Sequence, residues 1–305
     1  MKAARFYDKG DIRIEDIPEP TVAPGTVGIN VAWCGICGTD LHEFMEGPIF
    51  IPPCGHPHPI SGESAPVTMG HEFSGVVYAV GEGVDDIKVG QHVVVEPYII
   101  RDDVPTGEGS NYHLSKDMNF IGLGGCGGGL SEKIAVKRRW VHPISDKIPL
   151  DQAALIEPLS VGHHAYVRSG AKAGDVALVG GAGPIGLLLA AVLKAKGIKV
   201  IITELSKARK DKARESGVAD YILDPSEVDV VEEVKKLTNG ETDQRRRRGR
   251  GIRMYQREQS VGYFGRSLQT CRQFGYRIHL EPPCNRQRPQ RRDERAGCAR
   301  HDCLL

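Results

Sequence analysis

The sequence lacks any run of about 18 apolar residues and any basic-then-apolar opening stretch, so neither a membrane span nor a secretory leader is read from it. A cytosolic chain is expected. It also lacks a second C-x-x-C pair within residues 1–243 to partner Cys34-Gly-Ile-Cys37. That counts against a four-cysteine structural site, and the flanks of the pair do not read as a thioredoxin-type helix start. In a reducing compartment Cys34, Cys37, Cys54 and Cys126 are ligands or free thiols before they are disulfides. Lysine is missing from residues 244–305, which carry 16 arginines and 5 acidic residues, whereas residues 1–243 carry 24 basic and 34 acidic ones. The overall charge of +1 therefore joins two unlike kinds of sequence, an acidic one and a basic tail.

At 305 residues the chain has room for two domains, each with its own core. Up to about residue 144, short β-type runs (28–32, 74–80, 92–96, 132–136) alternate with Gly/Pro punctuation, which predicts a β-rich domain. Residues 151–168 show a helical pattern. From 176 to about 224 the order is strand, helix, strand, helix, strand, and 228–237 adds one more helix. The fold class is α/β, with a domain at 1–150, a doubly wound parallel sheet at 151–243, and an irregular tail at 244–305.

Within the second part, Val176-Ala-Leu-Val-Gly180-Gly181-Ala182-Gly183-Pro184-Ile185-Gly186 joins an apolar strand, a glycine turn and a helix start without a break. The glycines Gly181, Gly183 and Gly186 supply, in turn, the tight bend, the close backbone approach to a pyrophosphate, and the close packing of helix on strand. The helix of residues 184–196 would offer its free amides and positive end to the phosphate. Glu204 follows a second strand about 20 positions on, where a carboxylate binds the ribose 2′-OH and repels a 2′-phosphate, favouring NAD over NADP. Read blandly, it is a solvated carboxylate at a strand end. Lys207 and Arg209 either line the adenine side or favour a phosphate.

Cys37, Thr39, Asp40 and His42 fall within six residues, Met69-Gly70-His71-Glu72 sets an imidazole beside a carboxylate, and Glu157 precedes a helix. One thiolate, one imidazole and one carboxylate, with a position left for water or substrate, is the donor set of a catalytic zinc. Alone, His71 would be a satisfied core histidine. In combination it is a ligand candidate.

These segments, Cys37-Gly-Thr-Asp-Leu-His42, Gly70-His71-Glu72, Glu157-Pro-Leu-Ser-Val161 and the glycine turn, resemble in order and spacing the zinc-dependent medium-chain alcohol/polyol dehydrogenases. Residues 42–50 most resemble the 2,3-butanediol dehydrogenase branch, with sorbitol dehydrogenase-type enzymes next. The resemblance covers residues 1–243 and none of 244–305. It implies a GroES-like catalytic domain followed by a Rossmann domain, one catalytic zinc and NAD. It further implies Cys37, His71, Glu72 and Glu157 as the metal set, with Cys34 a neighbouring packed thiol. Thr39 would bond the substrate oxygen, His42 would relay its proton, and Asp40 would orient the ligands. His164 lies near the matching region, where helix packing is an equal reading.

Many members of the family it resembles carry a structural zinc on four closely spaced cysteines in the lobe matching residues 96–130. Here only Cys126 is present, so no structural zinc is expected, and Cys126 is a plain buried thiol or part of a glycine-rich loop. The substrate expected is a small alcohol, a vicinal diol or acetoin. The family is oligomeric, and the interface is expected to lie in the part of the pattern this chain does not repeat. A sheet of about three recognisable strands predicts low stability and weak turnover.

The tail opens on Gln244-Arg-Arg-Arg-Arg-Gly-Arg250. Nucleic-acid binding is one reading and a solvated, disordered tail a better one. A third is out-of-frame translation. With codons chosen for residues 281–295 and the first base dropped, the string reads Ser-His-Pro-Ala-Thr-Val-Asn-Val-His-Ser-Val-Val-Met-Lys, which alternates as a strand does. Sequencing the transcript across codons 240–250 tests this.

Overall fold

The computed structural model describes residues 1–107 and 109–238, with the backbone of two further strands at 253–256 and 276–279. The chain begins with a hairpin, β1 (Lys2–Asp8) and β2 (Asp11–Asp16), which the sequence reading passed over because charged residues break its alternation. Next, β3 (Thr26–Gly35) runs into α1 (Gly38–Glu46), β4 (Val67–Thr68) pairs with β1, and β5 (Glu72–Val80) pairs with β3. With β6 (His92–Val95), β9 (Lys133–Lys137) and β10 (Val141–Pro143), the main antiparallel sheet has the order β10-β6-β5-β3-β9. A short ribbon, β7 (Tyr98–Ile99) and β8 (Asn119–Phe120), closes one end.

Two cores hold this part together. Val27, Ile29, Phe73, Val77, Val93, Ile134 and Val136 project from β3, β5, β6 and β9 into one of them. Phe6, Ile51, Met69, Phe120 and Leu123 fill the other, between the hairpin and the ribbon. Each such side chain withdrawn from water contributes about 1.5–3 kcal/mol, which is what orders the Gly/Pro-rich connections between short strands.

The predicted helix at 151–168 is two helices, α2 (Leu150–Ala153) and α3 (Ile156–Ser169). Pro158 explains the break: it has no N–H for the carbonyl four residues back and its ring crowds that carbonyl, so it is tolerated only in the first turn of α3. Gly170, at φ +66°, ends that helix.

The parallel sheet follows as predicted: β11 (Val176–Gly180), α4 (Pro184–Ala195), β12 (Lys199–Thr203), α5 (Lys207–Ser216), β13 (Tyr221–Leu223) and α6 (Val230–Leu237). Val179, Val200 and Ile202 from the strands meet Ile185, Leu189 and Leu193 of α4, and Ala165 of α3 joins the same core. The helix that begins beside Glu157 thus lies against the helix that begins at the glycine turn. In the tail, read as irregular from the sequence, the structure describes β14 (Arg253–Gln256) beside β11 and β15 (Tyr276–His279) antiparallel to it. The Arg-rich opening, residues 244–250, and the stretch 281–295 proposed to be out of frame lie outside the described residues.

Candidate metal centre and nucleotide turn

β3 ends at Gly35, and Cys37 caps the N-terminus of α1, placing its thiol at the helix end that favours negative charge. Asp40, one turn in, accepts the Cys37 N–H at 2.8 Å through Oδ2. β5 begins at Glu72, directly after His71, and pairs with β3 so that Glu72 stands opposite Gly35. Antiparallel pairing thereby carries residues 71 and 72 to Cys37. Gly70, at φ +95°, makes the turn into β5, and a Cβ there would meet the Leu130 N at 2.6 Å, so only glycine serves.

The outcome is one group of ligand atoms, from Cys37, His71 and Glu72, all within 4.8 Å of one another. Among the described residues no other such group of three occurs. His71 and Glu72 are 6% and 8% exposed. Asp40 Oδ1 lies 3.6 Å from His71 Nδ1, and neither buried atom has a hydrogen-bond partner.

Burial sets the electrostatics. It pushes the Cys37 thiol up to about 12, with Glu72 adding repulsion, and Asp40 up to about 6. Glu72 is raised by burial as well, and His71 is lowered, which leaves its imidazole neutral. Glu157, at the start of α3, is pushed to about 8, by burial first and then by Glu72 and Asp40. Four acidic groups that repel one another out of water form an unfavourable cluster unless a cation stands among them. The donors fit a zinc ion: thiolate, neutral imidazole and carboxylate, with Asp40 behind the imidazole. Glu157 lies close enough to feel Glu72, yet outside the group of three.

The other predicted residues sit at different distances from this centre. Thr39 Oγ1 is 3.7 Å from Cys37 Sγ. His42 is on the solvent side of α1, 4.0 Å from Glu46. Cys34 is half-buried outside the group, its thiol donating to the Gly35 carbonyl at 3.3 Å. His164 is exposed, its ring 5.9 Å from that of His113, so it meets the loop of residues 111–114. Cys126 corrects the buried-thiol expectation: it is exposed, because the backbone at φ +61° turns it outward while its N–H is held by Glu63 Oε1 at 2.8 Å.

Sequence reasoning missed Glu43. Fully buried, it accepts the amides of Ile49 and Phe50 at 2.9 and 2.5 Å and so pins the loop after α1. Its spacing of three from Asp40 was the available signal.

At the glycine turn, Gly181 has φ +93° and donates to the Thr203 carbonyl at 2.8 Å. Gly183 caps α4, Pro184 opens it, and Ile185 is buried. A Cβ on Gly186 would strike the Gly181 carbonyl, so the close approach at the third glycine is to the turn itself, with the β11 side chain of Val179 only in ordinary contact. Glu204, 8% exposed, is no solvated strand end. Arg209 is exposed in the first turn of α5, its amide capped by Ser206 Oγ at 3.5 Å.

The alcohol dehydrogenase GroES-like domain matches residues 23–146, and the zinc-binding dehydrogenase domain matches residues 184–244. An (R,R)-butanediol dehydrogenase from Bacillus subtilis is 50% identical over 245 residues, covering 80% of this chain and 69% of that protein. This chain belongs to the zinc-dependent alcohol dehydrogenase family. The crystal structure of a 2R,3R-butanediol dehydrogenase from Bacillus subtilis superposes with a TM-score of 0.73 at 50% identity, covering 78% of this chain and 67% of that one. A sorbitol dehydrogenase of Bacillus subtilis is 35% identical over 243 residues, 78% of this chain and 65% of that protein. The chain thus spans about two thirds of the length of these relatives. No described helix is long and apolar enough to cross a membrane.

Proposed function

We propose that this chain carries the metal and nucleotide sites of a zinc- and NAD-dependent dehydrogenase, which moves a hydride between the nicotinamide and a secondary alcohol or ketone. A vicinal diol or acetoin is the favoured substrate. The observation that carries this is the convergence of Cys37, His71 and Glu72 from α1, the turn before β5 and β5 itself. The similarity to butanediol dehydrogenases favours the diol. Residues 1–150 form the catalytic domain and residues 151–243 the nucleotide domain, in a cytosolic protein.

Zinc bound by Cys37, His71 and Glu72, with Glu157 exchanging with water, would supply Lewis acidity to the substrate oxygen. Thr39 donates to or accepts from that oxygen. His42, at the solvent side of α1, passes the proton out. Asp40 keeps the His71 ring and the Cys37 amide in register. Gly183, Ile185 and Gly186 receive the pyrophosphate, while Glu204 stands at the ribose, with Arg209 beyond it, and favours NAD.

The test is NADH formation with 2,3-butanediol, sorbitol and ethanol, with and without chelator, on this chain and on a frame-restored version. Chelator-sensitive oxidation that favours the butanediol is expected of the restored chain. Faster oxidation of sorbitol moves the assignment to a polyol enzyme. Stoichiometric zinc in this chain without turnover marks it as a catalytically impaired member.

A further inference from the structure

Both oxygens of the Glu204 carboxylate are engaged by the main chain. Oε2 accepts the Ala182 N–H at 2.8 Å, and Oε1 accepts the Ser206 N–H at 2.8 Å. Ala182 is the middle residue of Gly181-Ala182-Gly183, and Ser206 caps α5. One buried side chain therefore ties the phosphate turn to the next helix start, beside the Gly181 to Thr203 bond that holds the same turn to β12.

The amides left for an anion are few. Pro184 has no N–H, and that of Ala182 is taken by Glu204. Ile185 and Gly186, in the first turn of α4, have no intrahelical acceptor, and Gly183 precedes them. The aim of those three amides depends on the shape of the turn, on which Glu204 and the Gly181 to Thr203 bond are the two ties described.

We propose that Glu204 is a positioning residue for the glycine turn, holding the Ala182 amide so that those of Gly183, Ile185 and Gly186 meet the pyrophosphate. This rests on the nucleotide site proposed above and goes beyond ribose selection. A carboxylate accepts both amides at once, because it is acceptor-only. Glutamine in the same place turns an NH2 toward one of them, donor against donor, and leaves a buried amide unsatisfied. Aspartate, one methylene shorter, cannot span both.

The two roles separate experimentally. A carboxylate that only selects ribose affects every riboside alike, adenosine included, and is replaceable by aspartate. A positioning carboxylate affects ligands that carry phosphate. Glu204→Gln and Glu204→Asp in the full chain are compared with wild type by amide hydrogen exchange at Ala182 and Ser206 without ligand. Calorimetric titration with adenosine, ADP and NAD+ follows.

Faster exchange at both amides is expected in each variant, with affinity for ADP and NAD+ falling about tenfold more than affinity for adenosine, the size of one lost buried hydrogen bond. Unchanged exchange, equal losses on adenosine and ADP, or wild-type ADP affinity in Glu204→Asp overturns the positioning role alone. A protected Ala182 in a wild-type chain that binds no ADP overturns the nucleotide site, and the positioning role with it.

Discussion

The metal cluster and the glycine turn are built alike and assembled differently. Each stands at a helix start, α1 behind Cys37 and α4 behind Gly183, where free amides and the helix dipole favour negative charge. The glycine turn, however, is made from one contiguous run plus the strand after it. The metal cluster draws on residues 37, 71 and 72, with 157 nearby, and exists only once β3 and β5 have paired and α3 has docked. A site whose parts arrive from three places has its ligands fixed by the fold, so its donors bear the electrostatic cost of burial until a cation offsets it.

That contrast can be broken most severely at the ligands themselves. Cys37→Ala or His71→Ala is expected to abolish stoichiometric zinc, measured by metal analysis of purified protein, while leaving ADP affinity within about twofold, since additivity holds for sites that share no partner. Loss of both functions together would mean the two sites are one cooperative unit. Asp40→Asn is the next largest. It removes the charge behind the His71 ring, and zinc affinity should fall about 10–100-fold in competition with a chromogenic chelator. Unaltered affinity would reduce Asp40 to a helix-capping residue.

On the other side of the comparison, Gly186→Ala drives a Cβ into the Gly181 carbonyl, with an expected cost of about 1–3 kcal/mol in urea melts. ADP affinity should fall with it and zinc content should not.

The pH dependence sharpens the same point. Asp40 is raised from its ordinary 3.8 to about 6 and Glu157 from 4.5 to about 8. The folded, metal-free chain therefore holds more protons than the unfolded chain between about pH 4 and pH 8. Its stability is highest at the acidic end of that window and is lost as pH rises through the folded values. Thermal midpoints in chelator should fall from pH 5 to pH 8, and zinc should flatten the slope. A midpoint that rises with pH in chelator would show that these carboxyls are not held out of water. The smallest effect is a control remote from both sites: Asp229→Ala removes the cap on the Val231 and Glu232 amides and should cost about 1 kcal/mol with no change in zinc or nucleotide binding.

Much of the nucleotide half was readable along the chain, because glycine at a tight bend, an apolar strand and a 3.6-residue helical pattern are properties of neighbours. Even there the break at residues 154–155 was missed, for a proline in the first turn of a helix looks in sequence like a proline inside one. The β-rich half was readable as runs of residues but not as a sheet order, which depends on pairings between strands far apart in the chain. Glu43 escaped notice because a carboxylate that clamps backbone amides six and seven residues further on looks the same as a solvated one until the loop folds over it.

By itself the sequence determined which residues could ligate a metal, where a glycine turn would open a helix, and that residues 1–243 and 244–305 differ in composition, since residue chemistry and short-range periodicity need no folding to be read. The tertiary structure decided that Cys37, His71 and Glu72 share one site, that Glu157 stands beside it, and that Glu204 is bound to the turn it follows. Those are distances between residues remote in the chain, and only strand pairing and core packing bring such residues within reach of one another.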